Sequence, residues 1–219
     1  MTTVGHGHFV LVVGPSGAGK DSVLSGARAA FAGQRNMVFP RRFVTRLAAA
    51  ESEDHVSMTE MEFAIAVAED AFALWWRAHG NFYGIGRSVE ADLALGGVVA
   101  VNCSRTAIAE AQERFPLVTV AEITAPPEVL VKRIVARGRE TPEQALARVS
   151  RETPPYPAGV RVVTILNDGD LGDAVRQFCQ LLVSLQDSAA NPGGGPLDGE
   201  NQQEDRNDDG RGLVIVEQL

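Results

Sequence analysis

Gly14-Pro15-Ser16-Gly17-Ala18-Gly19-Lys20-Asp21-Ser22 is the stretch that decides the fold. An apolar run, Phe9-Val10-Leu11-Val12-Val13, precedes it, and a helix-like segment from Ser22 to Phe31 follows. Strand, glycine-rich loop and helix in that order make a phosphate-binding loop, in which curled backbone turns successive N–H groups onto phosphate oxygens. The helix adds its own unpaired N-terminal donors to the same anion. Gly14, Pro15, Ser16, Gly17, Ala18 and Gly19 therefore form the expected cradle for ATP, and Lys20 supplies a point charge for the β- and γ-phosphates.

The residue after such a lysine is usually Ser or Thr, whose hydroxyl ligates Mg²⁺. Here it is Asp21, with Ser22 behind it, and both are candidate metal ligands. The strand expected to end in a metal-holding carboxylate, Val98–Val101, runs instead into Asn102. Asp21 is thus expected to replace, directly or through water, the charge missing at Asn102. The alternative is an acid in a first helical turn that only complements the helix dipole.

Working outward, apolar β-branched runs alternate with helical patterns, which predicts an α/β fold with a parallel sheet. Five strands are expected, at Phe9–Val13, Val38–Val44, Val98–Asn102, Val118–Thr124 and Val160–Leu166. Capping boxes start helices at Thr59 with Glu62 and at Thr141 with Gln144. Residues 45–86 are too long for a simple crossover and are expected to form an inserted subdomain. Residues 137–151, rich in arginine, are expected to form a lid, since phosphoryl transfer must exclude water. The P-loop domain is placed at 1–187 and a disordered acidic tail at 188–219. Within that tail Leu213–Val216 is an apolar island, read as unstructured, with docking or addition to a sheet edge as the alternatives.

The net charge of −8 is concentrated in that tail: from Asp187 onward there are eight acidic and two basic residues, leaving the body near −2. This excludes a polybasic nucleic-acid binder. Cys103 and Cys179 lack CxxC spacing and read as buried thiols. The first residues lack an apolar leader, and no run approaches membrane-spanning length, so a cytoplasmic protein is expected. His6 and His8 read as a frayed terminus rather than a metal pair.

Beyond the loop, Val44-Thr45-Arg46, His79-Gly80-Asn81-Phe82-Tyr83-Gly84, Arg137-Gly138-Arg139 and Asn167-Asp168 follow in order over roughly residues 9–185. Together they resemble the guanylate-kinase-like P-loop kinases. Lys20-Asp21-Ser22, Ser52-Glu53-Asp54-His55, Val101-Asn102-Cys103-Ser104-Arg105 and Asn167-Asp168-Gly169 are similar to the ribose 1,5-bisphosphate phosphokinase branch of that superfamily. Where guanylate kinases carry guanine-reading carboxylates and a second phosphate-gripping arginine, this chain has Leu74, Asn102 and Ala49. Guanine's buried donors would go unpaired there, at about 1–3 kcal/mol each.

The resemblance implies ATP-dependent phosphorylation of ribose 1,5-bisphosphate to 5-phosphoribosyl 1-diphosphate, in the context of phosphonate breakdown. It implies Lys20, Arg137 and Arg148 as catalytic cations and Asn167 and Asp168 as lining of the adenine pocket. Arg46, Tyr83, Ser104 and Arg105 become the acceptor-binding candidates, with a core aromatic the alternative for Tyr83. His55 is read as a phosphate ligand or a loop cap. Two readings stay open beside this one: another nucleoside-monophosphate kinase, and a non-catalytic guanylate-kinase-like binding module.

Overall fold

The structure is a computed structural model that describes residues 7–46, 55–138, 140–150, 153–190 and 214–217. The main sheet holds β1 (His8–Val13), β2 (Met37–Val38), β7 (Val98–Asn102), β8 (Val118–Thr124), β9 (Arg161–Leu166) and β10 (Val214–Glu217). Their order is β10-β9-β8-β1-β7-β2. Five strands run parallel, and β10 pairs antiparallel to β9. The parallel core is the expected one. Strand β1 lies at its centre with every residue buried, as a strand covered on both faces must be.

One face of the sheet packs on α1 (Lys20–Ala30), α5 (Pro127–Val135) and α7 (Leu171–Ala190), through Val10, Val12, Val23, Ala27, Leu130 and Phe178. The other packs on α3 (Val89–Ala94) and α4 (Ile108–Arg114), through Phe9, Leu11, Leu93, Ile108 and Val120. Both predicted capping boxes form. Glu62 N–H donates to Thr59 Oγ1 at 3.1 Å and Thr59 N–H to Glu62 Oε2 at 2.7 Å, opening α2 (Glu60–Ala68). Thr141 and Gln144 open α6 (Pro142–Val149) in the same way.

A second sheet, order β4-β3-β6-β5, contains β3 (Arg42–Val44), β4 (His55–Ser57), β5 (Phe72–Ala78) and β6 (Asn81–Gly86). The expected single strand Val38–Val44 is therefore two strands in two sheets. Pro40 lies between them, and having no N–H it cannot donate to the ladder of either sheet. The chain thus leaves the main sheet at Phe39, and the inserted sheet starts at Arg42, not at residue 45. Thr45 stitches it together: its N–H donates to Phe82 O at 3.0 Å and its Oγ1 accepts from Phe82 N–H at 2.9 Å.

At the other end, α7 runs to Ala190, past the expected boundary at 187, and Val214–Glu217 is a strand. The island read as unstructured is thus added to a sheet edge; residues 191–213 of the tail lie outside the described residues. His8 is not frayed either. It is 8 % exposed at the start of β1, and burial, with Arg161 nearby, lowers its pKa. His6 lies outside the described residues. Both cysteines are free, and burial pushes the Cys103 thiol up to about 12. Among the described residues no helix is long and apolar enough to cross a membrane.

Candidate active site

Strand β1 delivers the chain to Gly14 at the carboxyl edge of the sheet, and the turn from there into α1 depends on two glycines. Gly14 has φ 141°, and a Cβ there would lie 1.9 Å from Ile123 O. Gly19 has φ 88°, and its Cβ would lie 2.4 Å from Asn167 Nδ2. Gly19 caps α1 without a side chain, so no side-chain oxygen of the cap residue occupies the N–H groups of the first turn. Those donors suit an incoming anion.

Lys20 opens α1 with its ammonium folded back onto the loop, donating to Gly14 O at 2.8 Å and Pro15 O at 3.0 Å. Burial, aided by Arg42, Arg137 and Arg148, brings its pKa down to about 8 against the opposing pull of Asp21. The two predicted lid arginines therefore act electrostatically on the loop lysine. Arg148, on α6, also pairs with Glu140. Arg139 and Arg151 lie outside the described residues.

Beside the loop is a cavity of about 300 Å³ between the main and inserted sheets. Helix α1 gives it Asp21, Leu24, Ser25 and Arg28; β7 gives Ala100, Val101 and Asn102; the inserted sheet and its entry give Pro40, Arg42, Arg46 and His55. Asn102 Nδ2 donates to Asp21 Oδ1 at 2.7 Å, and Arg42 lies 3.7 Å from the same oxygen. The lining thus carries three guanidiniums and a histidine against one carboxylate. Leu74, at the other place where guanine would need an acceptor, is fully buried in the core. Ala49 and the segment Ser52–Asp54 lie outside the described residues.

Several candidates sit elsewhere than expected. Tyr83 stacks on Trp76 at 5.5 Å and carries Arg42 over its ring at 5.9 Å, so it backs the cavity through Arg42 without lining it. Ser104 caps a short 3₁₀ turn by accepting from Thr106 N–H. Arg105 pairs with Glu122, donates to Thr153 Oγ1 at 2.9 Å and lies 4.3 Å over Tyr156. Neither residue lines the cavity. Arg105 instead fastens the segment that returns from α6 to the end of β8.

Asn167 is 3 % exposed, and its Nδ2 donates to Ala18 O at 2.7 Å, so it braces the loop from beneath. Asp168, next to it, is exposed. Arg28 and Arg42 were not among the sequence candidates. Period two put Arg42 in line with Val44 and Arg46, and helical spacing put Arg28 seven residues after Asp21. Those were the available signals.

Mg²⁺ binds through one or two protein oxygens plus phosphates and keeps several waters. The described residues contain no cluster of three metal-ligating side chains. Asp21, with a side chain 81 % exposed at the head of α1, and exposed Ser22 beside it fit that sparse donor set.

A glycine-rich loop between β1 and α1 on a five-stranded parallel sheet, with a cationic pocket beside it, makes this a P-loop α/β protein of the guanylate kinase fold. The guanylate kinase from Anaplasma phagocytophilum shares that fold, with a TM-score of 0.58 and 20 % identity over 82 % of this chain and 86 % of that one. No family model matches the chain. The chain is 48 % identical over 173 residues, 78 % of its length and 95 % of the relative's, to the ribose 1,5-bisphosphate phosphokinase PhnN of Methylobacterium radiotolerans. It belongs to the ribose 1,5-bisphosphate phosphokinase family. The match extends to a larger protein, the bifunctional ribose 1,5-bisphosphokinase-thymidine phosphorylase of Cupriavidus pinatubonensis, at 44 % identity over 176 residues. The chain spans 29 % of that relative's length.

Proposed function

We propose that this chain transfers the γ-phosphoryl group of ATP to the 1-phosphate of ribose 1,5-bisphosphate, giving 5-phosphoribosyl 1-diphosphate and ADP. The observation that carries the reading is the charge of the acceptor cavity, three arginines and a histidine around a single carboxylate. A bisphosphate needs such a lining. A guanine ring needs acceptors for its donor groups, and the cavity offers a single carboxylate, whose Oδ1 already takes Asn102 and Arg42.

An oxygen of the 1-phosphate attacks the γ-phosphorus, and the bond from that phosphorus to the β-bridging oxygen breaks toward ADP. The nucleophile is anionic at neutral pH, so no general base is required, and catalysis comes from positioning and charge neutralisation. The N–H groups of the loop and the start of α1 hold the β-phosphate. Lys20 exchanges two neutral carbonyl partners for phosphate oxygens, which are stronger acceptors. Arg137 and Arg148, carried by the lid at 137–151, close over the transferring group and offset the repulsion between two phosphates. Arg42 and Arg46, on the inserted subdomain, hold the acceptor's reacting phosphate. Ser22 and Asp21 are the residues that would hold Mg²⁺, which when bound with ATP neutralises charge on its phosphates. Asp168, exposed beside the loop-bracing Asn167, would meet the adenine of ATP. ATP and sugar phosphates are cytoplasmic metabolites, which supports a cytoplasmic location.

Arg46→Ala tests the acceptor assignment. It is expected to raise KM for ribose 1,5-bisphosphate by roughly ten- to a hundredfold, the worth of one charged hydrogen-bonded contact, with KM for ATP nearly unchanged. Acceptor KM and kcat both at wild-type values would remove Arg46 from the site.

A further inference from the structure

We propose that Arg28 grips the far phosphate of the acceptor, with helix α1 as the ruler between that phosphate and the ATP end of the site. The inference rests on the pentose bisphosphate reading above and assigns the residue that recognises the second phosphate. Asp21, Leu24, Ser25 and Arg28 all line the cavity. Their spacing of three, four and seven residues puts them on one face of α1, so this face is a continuous wall of the acceptor pocket.

The wall is polarised along its length. At its N-terminal end Asp21 follows Lys20 directly, and the Arg42 guanidinium stands 3.7 Å from the Asp21 carboxylate. Arg28 lies eight residues after Lys20, an axial distance of about 12 Å at the helical rise. Helical side chains lean back toward the N-terminus, so a long arginine at 28 covers the turn before it, within the cavity wall. Its Nη2 donates to Phe39 O at 3.1 Å, the residue before Pro40 on the opposite wall. That bond fixes the guanidinium across the rim of the pocket. Cations consequently stand at both ends of this wall: Lys20 and Arg42 at the ATP end, and Arg28 two helical turns away. An acceptor with one phosphate satisfies only the first; a pentose carrying phosphates at both ends satisfies both.

The test compares kcat/KM for ribose 1,5-bisphosphate and for ribose 1-phosphate in wild-type protein and in Arg28→Met and Arg28→Gln. Both acceptors present the same nucleophile, and only one carries the distal phosphate. Wild-type protein is expected to prefer the bisphosphate, and in both variants that preference should fall roughly ten- to a hundredfold. Arg28→Lys, which keeps the charge but not the planar fork, should retain part of it. If Arg28 served only to tie α1 to the chain at Phe39, both acceptors would suffer alike; a preference within about twofold of wild type in Met and Gln variants overturns the proposal. Failure of the underlying reading looks different: wild-type protein would then phosphorylate GMP and neither pentose ester.

Discussion

Replacing Lys20 by methionine is expected to lower kcat with ATP by roughly 10²–10³-fold, the usual cost of deleting one preorganised cation from a charge-stabilising site. The folded loop holds this ammonium partly buried against two carbonyls, and its pKa falls from the ordinary 10.5 to about 8. The sign of the associated linkage follows. Between about pH 8 and 10.5 the folded protein binds fewer protons at this site than the unfolded chain, so the Lys20 contribution to stability rises with pH across that window. ATP reverses the balance, because phosphates favour the charged ammonium. Nucleotide binding at pH 8.5–9 should therefore take up protons, seen in titration calorimetry as a heat that varies with buffer ionisation enthalpy. Lys20→Met should abolish that uptake alongside the fall in kcat. A variant that keeps wild-type kcat would remove Lys20 from the chemistry.

Gly14→Ala should cost roughly 3 kcal/mol or more, since the new Cβ must find room in a packed strand junction as well as adopt a conformation that L residues avoid. The Cβ would stand 1.9 Å from the Ile123 carbonyl oxygen, at φ 141°, and β8 would have to move away from β1 to accept it. For a domain of this size that loss is a fall in Tm of roughly 6–12 °C, with ATP binding lost because the cradle no longer closes. Gly33→Ala is the control. Its φ is +86°, but nothing lies within 4 Å of the added carbon, so it bears only the backbone strain. Equal Tm values for the two variants would mean that the junction at Gly14 is not tight.

What the sequence disclosed was local, and what it withheld was distant. The loop at residues 14–22, the five parallel strands and both capping boxes are written in contiguous residues, where periodicity and cap chemistry act within a few positions. The split of residues 37–44 between two sheets depends on partners remote in sequence: Val38 pairs with Val99, and Phe43 with Gly84 and Val56. The bracing of the loop by Asn167 spans 149 positions to Ala18, and no spacing rule encodes it. Arg28 and Arg42 were hidden for a different reason. An arginine on the polar face of a helix, or near a strand end, has the same local signature whether it faces water or an anion. Only the approach of the inserted sheet to α1 turns those positions into a pocket. Arg105 shows the converse: it follows the strand end that carries Asn102, yet its guanidinium pairs with Glu122 and ties down the chain after α6.

The most direct measurement offers the protein ATP, Mg²⁺ and, in parallel, ribose 1,5-bisphosphate, ribose 5-phosphate, GMP and other nucleoside monophosphates, with products identified by phosphorus NMR. The coupled doublets of a new diphosphate on the pentose, appearing with ADP from ribose 1,5-bisphosphate at a kcat/KM far above that for any nucleotide, are the predicted result. GDP forming from GMP faster than any pentose product would contradict it.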